Sequence, residues 1–572
     1  MSQSQSLGEF SFKTRQQSID RFKKETFDLL VVGGGITGAA VARDAARRGL
    51  SVALIEQKDF AWGTSSRSSK LIHGGLRYLE KFELKLVFEA LSERALLLKT
   101  VPHMVKPLPF YFPVFDGDSV KKNTLSLGLW FYDLLALFRT PGFHKKLNGK
   151  KILEEIPFLK KEGLLGGFRY FDASMWDDVL AVEVLRSASS AGAAIANYVQ
   201  AVSPIWEEDK IKGFCAKNCE AFSNKELFNI HAKQVVICAG PWTDILGKKI
   251  SSQWHTWLQP SKGIHLIFDL KKIPVPGAMV MNNPVDGRVS FVIPRPDMGS
   301  GVAIVGTTDG PVGQNPDKVD IESADVHYLM KLLNKYFPKL ELKTSDILSA
   351  YVGVRPLMGS QASTMGSEGQ PSGKSSHDLQ KVSREHYIGT GPGRVVLVAG
   401  GKYTTHRTMA EEIVDLILKQ VNPQLRNKRL KKANTRSPIN PNATIGAIEK
   451  SRVQNSKRKL GIDDSLFDRY GAEALSLVDL NKESFDSPKG FPMLLEQLRL
   501  NMKTSMVVHL EDFFLRRTAL YSSRSDYGWP WAQKLAQVWA QERGLGESDM
   551  QNEIDRLKIE LDRRSAWKKK LH

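Results

Sequence analysis

At 572 residues the chain is long enough for roughly three or four units of about 150 residues, and a large core is available. A hydrophobic share of 42% with 25% charged residues excludes a disordered chain and a polytopic membrane protein. The formal charge of +19 favours an anionic partner without choosing among lipid headgroups, nucleic acid and a phosphorylated metabolite. The three cysteines, Cys215, Cys219 and Cys238, fit neither a disulfide framework nor a four-ligand zinc site, so a reducing compartment and no bound metal are expected.

The N-terminal stretch MSQSQSLGEFSFKTRQQSIDRFKKE is polar and charged where a secretory signal would be apolar, so export by that route is not expected. Residues 28–32 (DLLVV) predict a buried strand, and a Gly-rich turn and an Ala-rich helix over 36–48 follow. Gly49 ends that helix and SVALIE (51–56) is the next strand, which completes one βαβ unit. KFELKLVFEALSERALLLK (81–99) predicts a long helix. The longest apolar run, Leu125 to Phe138, is 14 residues and contains Asp133. A bilayer takes about 20 apolar residues, so no membrane-spanning helix is expected.

QVVICAG (234–240) and RVVLVAGG (394–401) are further buried strands closing on glycine, so one sheet must gather segments far apart in the chain. Residues 359–377 are Gly/Ser-rich and read as a loop, and the basic stretch 425–436 reads as a linker. Beyond it, patterns such as 505–521 and 547–570 predict a separate helical domain. The basic residues lack the interleaved aromatics of a single-strand binding groove, so no nucleic-acid partner is expected.

The chemistry starts in the first βαβ unit. Gly33 permits a tight turn, Gly35 lets backbone approach a pyrophosphate, and Gly38 lets helix and strand pack closely. Thr37 sits in the same turn, at a helix N-terminus that offers free N–H groups to an anion. Glu56, 23 residues after Gly33, stands where an acid can bond the adenosine ribose. On this motif alone FAD and NAD both remain open. The segment GTSSRSSKLIHGGLRYLE (63–80) packs small hydroxyl and glycine residues that could wrap the longer FAD, although such clusters also make plain surface loops.

That segment resembles the signature of FAD-dependent glycerol-3-phosphate dehydrogenases. VGVRPL (352–357), SKGIHLIF (261–268), VGTTD (305–309), GGKYTTHR (400–407) and LEDFFLRRT (510–518) are similar to further blocks of that family, in the same order. The resemblance implies an α/β (α+β) fold with three parts. A glutathione-reductase-like FAD-binding domain takes 25–92, 166–250 and 380–425; an inserted antiparallel-sheet substrate domain takes 93–165 and 251–379; a C-terminal all-helical domain takes 426–572. It also implies hydride transfer from glycerol 3-phosphate to the flavin, giving dihydroxyacetone phosphate, with electrons passed to membrane quinone. Peripheral or monotopic attachment at the cytoplasmic face of the inner membrane and a homodimer go with it.

By the same resemblance the cofactor contacts extend to Thr64, Ser65, Ser68, Ser69, Leu71, His73, Gly74, Gly75, Ala239, Gly240, Gly401, Lys402, Thr404 and Thr405. Arg355 and Arg384 match phosphate-binding positions, Arg77 and Tyr78 match substrate contacts, and Thr307 and Thr308 are further candidates. A phosphate dianion suits the planar fork of arginine. His265 and His73 match positions beside the flavin, and His265 is the expected base because histidine is largely neutral near pH 7. Lys402 and the neighbouring helix N-terminus would stabilise an anionic reduced flavin. Two rivals share this fold: a glycerol-3-phosphate oxidase that uses oxygen, and an amine or amino-acid oxidase.

Overall fold

The apolar run at the start of the βαβ unit forms the strand Thr26–Val32, buried at every position after the first. Leu29 and Val31 pack into one hydrophobic layer and Leu30 and Val32 into another, because alternate side chains leave opposite faces of a strand. A strand covered on both faces reads as a continuous apolar run, which is how it was visible in the sequence. The computed structural model describes residues 7–118, 120–137, 139–313, 315–359, 386–421, 433–443, 464–479 and 487–571.

Thr26–Val32 lies in an eight-stranded sheet with parallel partners Val52–Ile55 and Leu227–Ile237. Val396–Gly400 runs parallel to Leu227–Ile237 at one side, and Ala194–Ala196 runs parallel to Val52–Ile55 at the other. Distant segments thus build one sheet. On one face the helix Ile36–Arg48 packs against the helices Asp177–Ser190 and His406–Leu416. On the opposite face the helix Phe12–Lys24 buries Ile19 and Phe22. Gly49 terminates Ile36–Arg48 in the left-handed conformation, at φ 97°, that glycine adopts without penalty.

A second sheet of ten strands is antiparallel except where Ala278–Asn282 runs parallel to Val105–Phe115. Toward one end of it Ser261–Asp269 pairs with Val302–Gly306 on one side and Ile347–Arg355 on the other. The outer face is covered by the helix Ser323–Tyr336, which buries Val326, Leu329 and Leu333. Leu164–Met175 belongs to this sheet, pairing along its whole length with Val105–Phe115, and the short strand Leu71–Ile72 pairs beside it. A division that starts the second segment of the FAD-binding domain at residue 166 therefore cuts a strand of the other sheet. The chain crosses between layers after Met175, where the helix Asp177–Ser190 begins.

The C-terminal residues are helical, with Ala532–Arg543 packed on Glu547–Ser565. Trp567 is buried in the core of the second sheet, and Lys568 Nζ donates to the Leu348 carbonyl at 2.9 Å. Of the Gly/Ser-rich stretch 359–377 only Gly359 is described; 425–432 and Arg384 also lie outside the described residues. Among the described residues no helix is long and apolar enough to cross a membrane.

Candidate active site

The two sheets enclose a cavity of about 740 Å³. At one end of it Gly33 adopts φ 116°, and a Cβ there would lie 2.4 Å from the Cys238 carbonyl oxygen. A Cβ on Gly38 would lie 1.9 Å from the Gly33 carbonyl oxygen, so the turn closes only on a glycine. Gly35 is the N-cap of Ile36–Arg48 and supplies no side-chain cap, which leaves helix N–H groups available at the cavity. Ser65 Oγ takes the Ile36 N–H at 2.9 Å. Glu56 accepts from the Gly34 and Lys58 N–H groups at 2.8 and 2.9 Å. Burial raises the Glu56 carboxyl above its usual range, and those two bonds oppose the shift.

Gly33, Gly35, Thr37, Glu56, Thr64, Ser65, Ser68 and Ser69 line this cavity. Leu71, His73, Gly75, Ala239, Gly240, Gly401, Lys402 and Thr404 line it as well. Thr64 Oγ1 donates to the Val354 carbonyl at 2.6 Å, and Ser68 Oγ donates to Asp177 at 2.7 Å, so this loop ties a strand of the second sheet to the first turn of the helix Asp177–Ser190. Gly74 and Thr405 stand behind the wall. The Gly74 N–H donates to Tyr132 and Asp172, and a Cβ there would meet Leu91 at 2.5 Å. Thr405 is buried at the N-cap of His406–Leu416.

At the other end, Ser261, Gly263 and His265 alternate along one strand and face the same side. Arg355 pairs in register with Ser261, and its guanidinium folds over Gly263, where a Cβ would lie 2.3 Å from Nη2. Nη2 donates to Thr307 Oγ1 at 2.9 Å and to the Thr308 carbonyl at 3.1 Å. Nη1 reaches Asp309 Oδ1 at 3.3 Å. Thr308 Oγ1 in turn accepts the Ile264 N–H at 3.1 Å. His265 is buried, stacks on Tyr351 at 4.7 Å and shares a hydrogen bond of 2.9 Å with Ser69 Oγ. Burial, then Arg355 and Lys70, push its pKa down to about 3, so the imidazole is neutral near pH 7.

Tyr78 lines the cavity, and Lys402 Nζ sits 3.6 Å from its ring centroid. Arg77 belongs to the helical turn Leu76–Lys81. Asp309 and Tyr351 were absent from the sequence-derived site. VGTTD carried a signal for the first, since Asp309 directly follows Thr308.

Known proteins resemble the chain over most of its length. The model of the DAO family, FAD dependent oxidoreductase, matches residues 28–416. The aerobic glycerol-3-phosphate dehydrogenase of Bacillus subtilis (strain 168) is 35% identical over 522 residues, 89% of this chain and 90% of that one. The chain belongs to the FAD-dependent glycerol-3-phosphate dehydrogenase family.

A second relative of that name, from Staphylococcus saprophyticus, is 33% identical over 559 residues and 96% of each chain. The glycerol-3-phosphate dehydrogenase of Bacillus halodurans, solved complexed with FAD, superposes with a TM-score of 0.73 at 28% identity, covering 96% of this chain and 98% of that one. Glycine oxidase from Geobacillus kaustophilus, at TM-score 0.51 and 19% identity over 70% of this chain and 96% of its own, shares the fold. The enzyme is thus an FAD-dependent oxidoreductase, and its cavity has the size and the glycine cradle such a cofactor requires.

Proposed function

We propose that the enzyme oxidises sn-glycerol 3-phosphate to dihydroxyacetone phosphate and passes the electrons to membrane quinone. The observation that carries this reading is the Arg355 guanidinium folded over Gly263, two positions from the neutral His265 on one strand face. A cationic fork beside an uncharged proton acceptor suits a short alcohol bearing a phosphate. The names of the relatives from B. subtilis and S. saprophyticus support the same substrate.

In this reading Gly33, Gly35, Thr37 and Gly38 cradle the pyrophosphate of FAD and Glu56 takes the ribose. The loop Thr64 to Gly75, together with Ala239 and Gly240, would hold the rest of the cofactor. Lys402, with Gly401 and Thr404, meets the flavin ring, and FAD supplies the oxidant when bound. Arg355 and Thr308 hold the phosphate, Tyr78 contacts the substrate, and His265 takes up the hydroxyl proton. Arg77, Arg384 and His73 are assigned by family resemblance, to substrate and flavin.

Anaerobic addition of glycerol 3-phosphate is expected to bleach the flavin absorbance within seconds. Bleaching by glycine or sarcosine, with no response to glycerol 3-phosphate, would refute the substrate. Turnover with a quinone analogue and little peroxide is expected; stoichiometric peroxide without quinone would refute the acceptor. Gly38→Val is expected to lower bound flavin per protein at least tenfold, since overpacking costs about 1–3 kcal/mol. A full flavin spectrum in that variant would refute the cradle.

Membrane attachment is supported by an apolar patch on the helix Lys122–Leu135 and its flank. Leu127 and Trp130 are about 60% exposed, and Phe82, Phe131, Leu134, Leu137 and Phe143 are exposed nearby. Lys121, Lys122 and Arg139 border the patch in sequence, and the chain carries +19 overall. Apolar side chains entering the headgroup region with basic residues around them fit an anionic bilayer. Replacing Leu127 and Trp130 together by Glu should weaken binding to phosphatidylglycerol-containing vesicles more than tenfold, at about 1.5–3 kcal/mol per buried side chain. Flavin bleaching in vesicle-free buffer should be unchanged. Equal sedimentation of variant and parent would place the contact elsewhere.

A further inference from the structure

Ser69 and His265 lie 196 residues apart, yet both line the cavity and share the 2.9 Å bond between Oγ and Nε2. The imidazole has a single polar outlet. Its Nδ1 is sealed from solvent and meets no hydrogen-bond partner among the described residues. Tyr351 stacks on the ring at 4.7 Å and 19°, and is itself pinned by its hydroxyl, which donates to the Ser68 carbonyl at 2.8 Å. Across the sheet Gly306 leaves the ring room, because a Cβ there would lie 2.3 Å from Cδ2. Packing of this kind keeps the ring from turning Nδ1 toward the cavity. A proton arriving from the cavity therefore enters at Nε2, and the Ser69 hydroxyl stands on that nitrogen.

We propose that Ser69 relays the proton between the substrate hydroxyl and His265. The inference rests on reading the cavity as an alcohol-oxidising site. The substrate O–H bond breaks as its proton passes to Ser69 Oγ, and the Ser69 O–H bond breaks as its own proton passes to Nε2. The electron pair left on the substrate oxygen forms the carbonyl, while hydride leaves the same carbon for FAD, the oxidant of this family. Ser69 ends neutral and His265 ends as imidazolium. Arg355, beside Asp309, and Lys70, itself ion-paired with Asp177, are the charged groups that act on the ring.

The test compares Ser69→Ala and Ser69→Thr with the parent, each loaded with FAD. At equal bound flavin, Ser69→Ala should bleach with glycerol 3-phosphate about a hundredfold more slowly, within the usual range for a lost proton-transfer group. Ser69→Thr should recover most of that rate. The parent should show a larger solvent deuterium effect on bleaching than Ser69→Ala. A parental rate in the alanine variant, or a threonine variant no better than alanine, overturns the relay. A substrate-free readout stands beside these: 15N NMR of histidine-labelled enzyme, with His265 assigned from His265→Asn. Nε2 should report as an unprotonated acceptor whose signal moves in Ser69→Ala, and a protonated Nε2 overturns the proposal. Should glycerol 3-phosphate leave the parent flavin oxidised, the substrate reading falls separately, because the state of Nε2 is read without substrate.

Discussion

Arg355→Met is expected to lower kcat/KM for glycerol 3-phosphate about a thousandfold while leaving bound FAD intact. Hydrogen bonds to a charged group contribute about 1.5–3 kcal/mol each, and losing two removes about 4 kcal/mol, or three powers of ten in rate. Thr307, the Thr308 carbonyl and Asp309 hold the guanidinium in place over Gly263, so little reorganisation is needed when phosphate arrives. Arg355→Lys keeps the charge without the fork and should recover only part of the loss. Glycerol provides the internal control, since it lacks the phosphate. With glycerol the parent and both variants should turn over at similar low rates, so the preference for the phosphorylated alcohol collapses. An equal loss with both alcohols would assign Arg355 to the flavin or to the fold.

The parts of this site that were legible in the sequence are those set by local rules. The turn Gly33 to Gly38 is specified by neighbours in the chain, and its strand–turn–helix context is a pattern of apolar runs and glycines. His265 and Arg355 were found through family-like blocks, and the strand alternation Ser261, Gly263, His265 explains why they meet. Leu164–Met175 shows where such rules stop. Which sheet it joins follows from its pairing with Val105–Phe115 some 60 residues earlier, and no local pattern encodes that. The Ser69 bond to His265 is likewise invisible locally, because it depends on a loop of one sheet folding across a strand of the other.

LEDFFLRRT shows the same limit at its widest, and its partner yields the second large expected effect. Asp59 follows Glu56 by three residues and is fully buried. Arg517 grips its carboxylate with two bonds of 2.9 Å, and Arg516 Nε adds a third at 2.5 Å, across 457 to 458 residues of chain. Arg516 also holds Asp512, which accepts the Tyr198 hydroxyl at 2.6 Å. Burial alone would raise the Asp59 carboxyl, but Arg517 and Arg516 overcome it and hold the group below the usual carboxylate range. Its contribution to stability is therefore present above pH about 4, the unfolded carboxylate value, and is lost as pH falls below it.

Asp59→Asn removes the anion and leaves two buried guanidinium groups without it, a change that typically costs about 3–5 kcal/mol. The variant should release flavin at a clearly lower temperature than the parent, monitored by the rise in flavin fluorescence, because the loop from Glu56 to Phe60 loses its anchor on the C-terminal helices. Asp209→Asn is the matched control: its pair with Arg394 is as short, at 2.8 Å, but more than half exposed on both sides, and its midpoint should match the parent's. Equal midpoints for Asp59→Asn and the parent would mean that the C-terminal helices are held by their apolar contacts alone. The expected gap between the two aspartates instead makes the C-terminal helical layer part of what retains the cofactor.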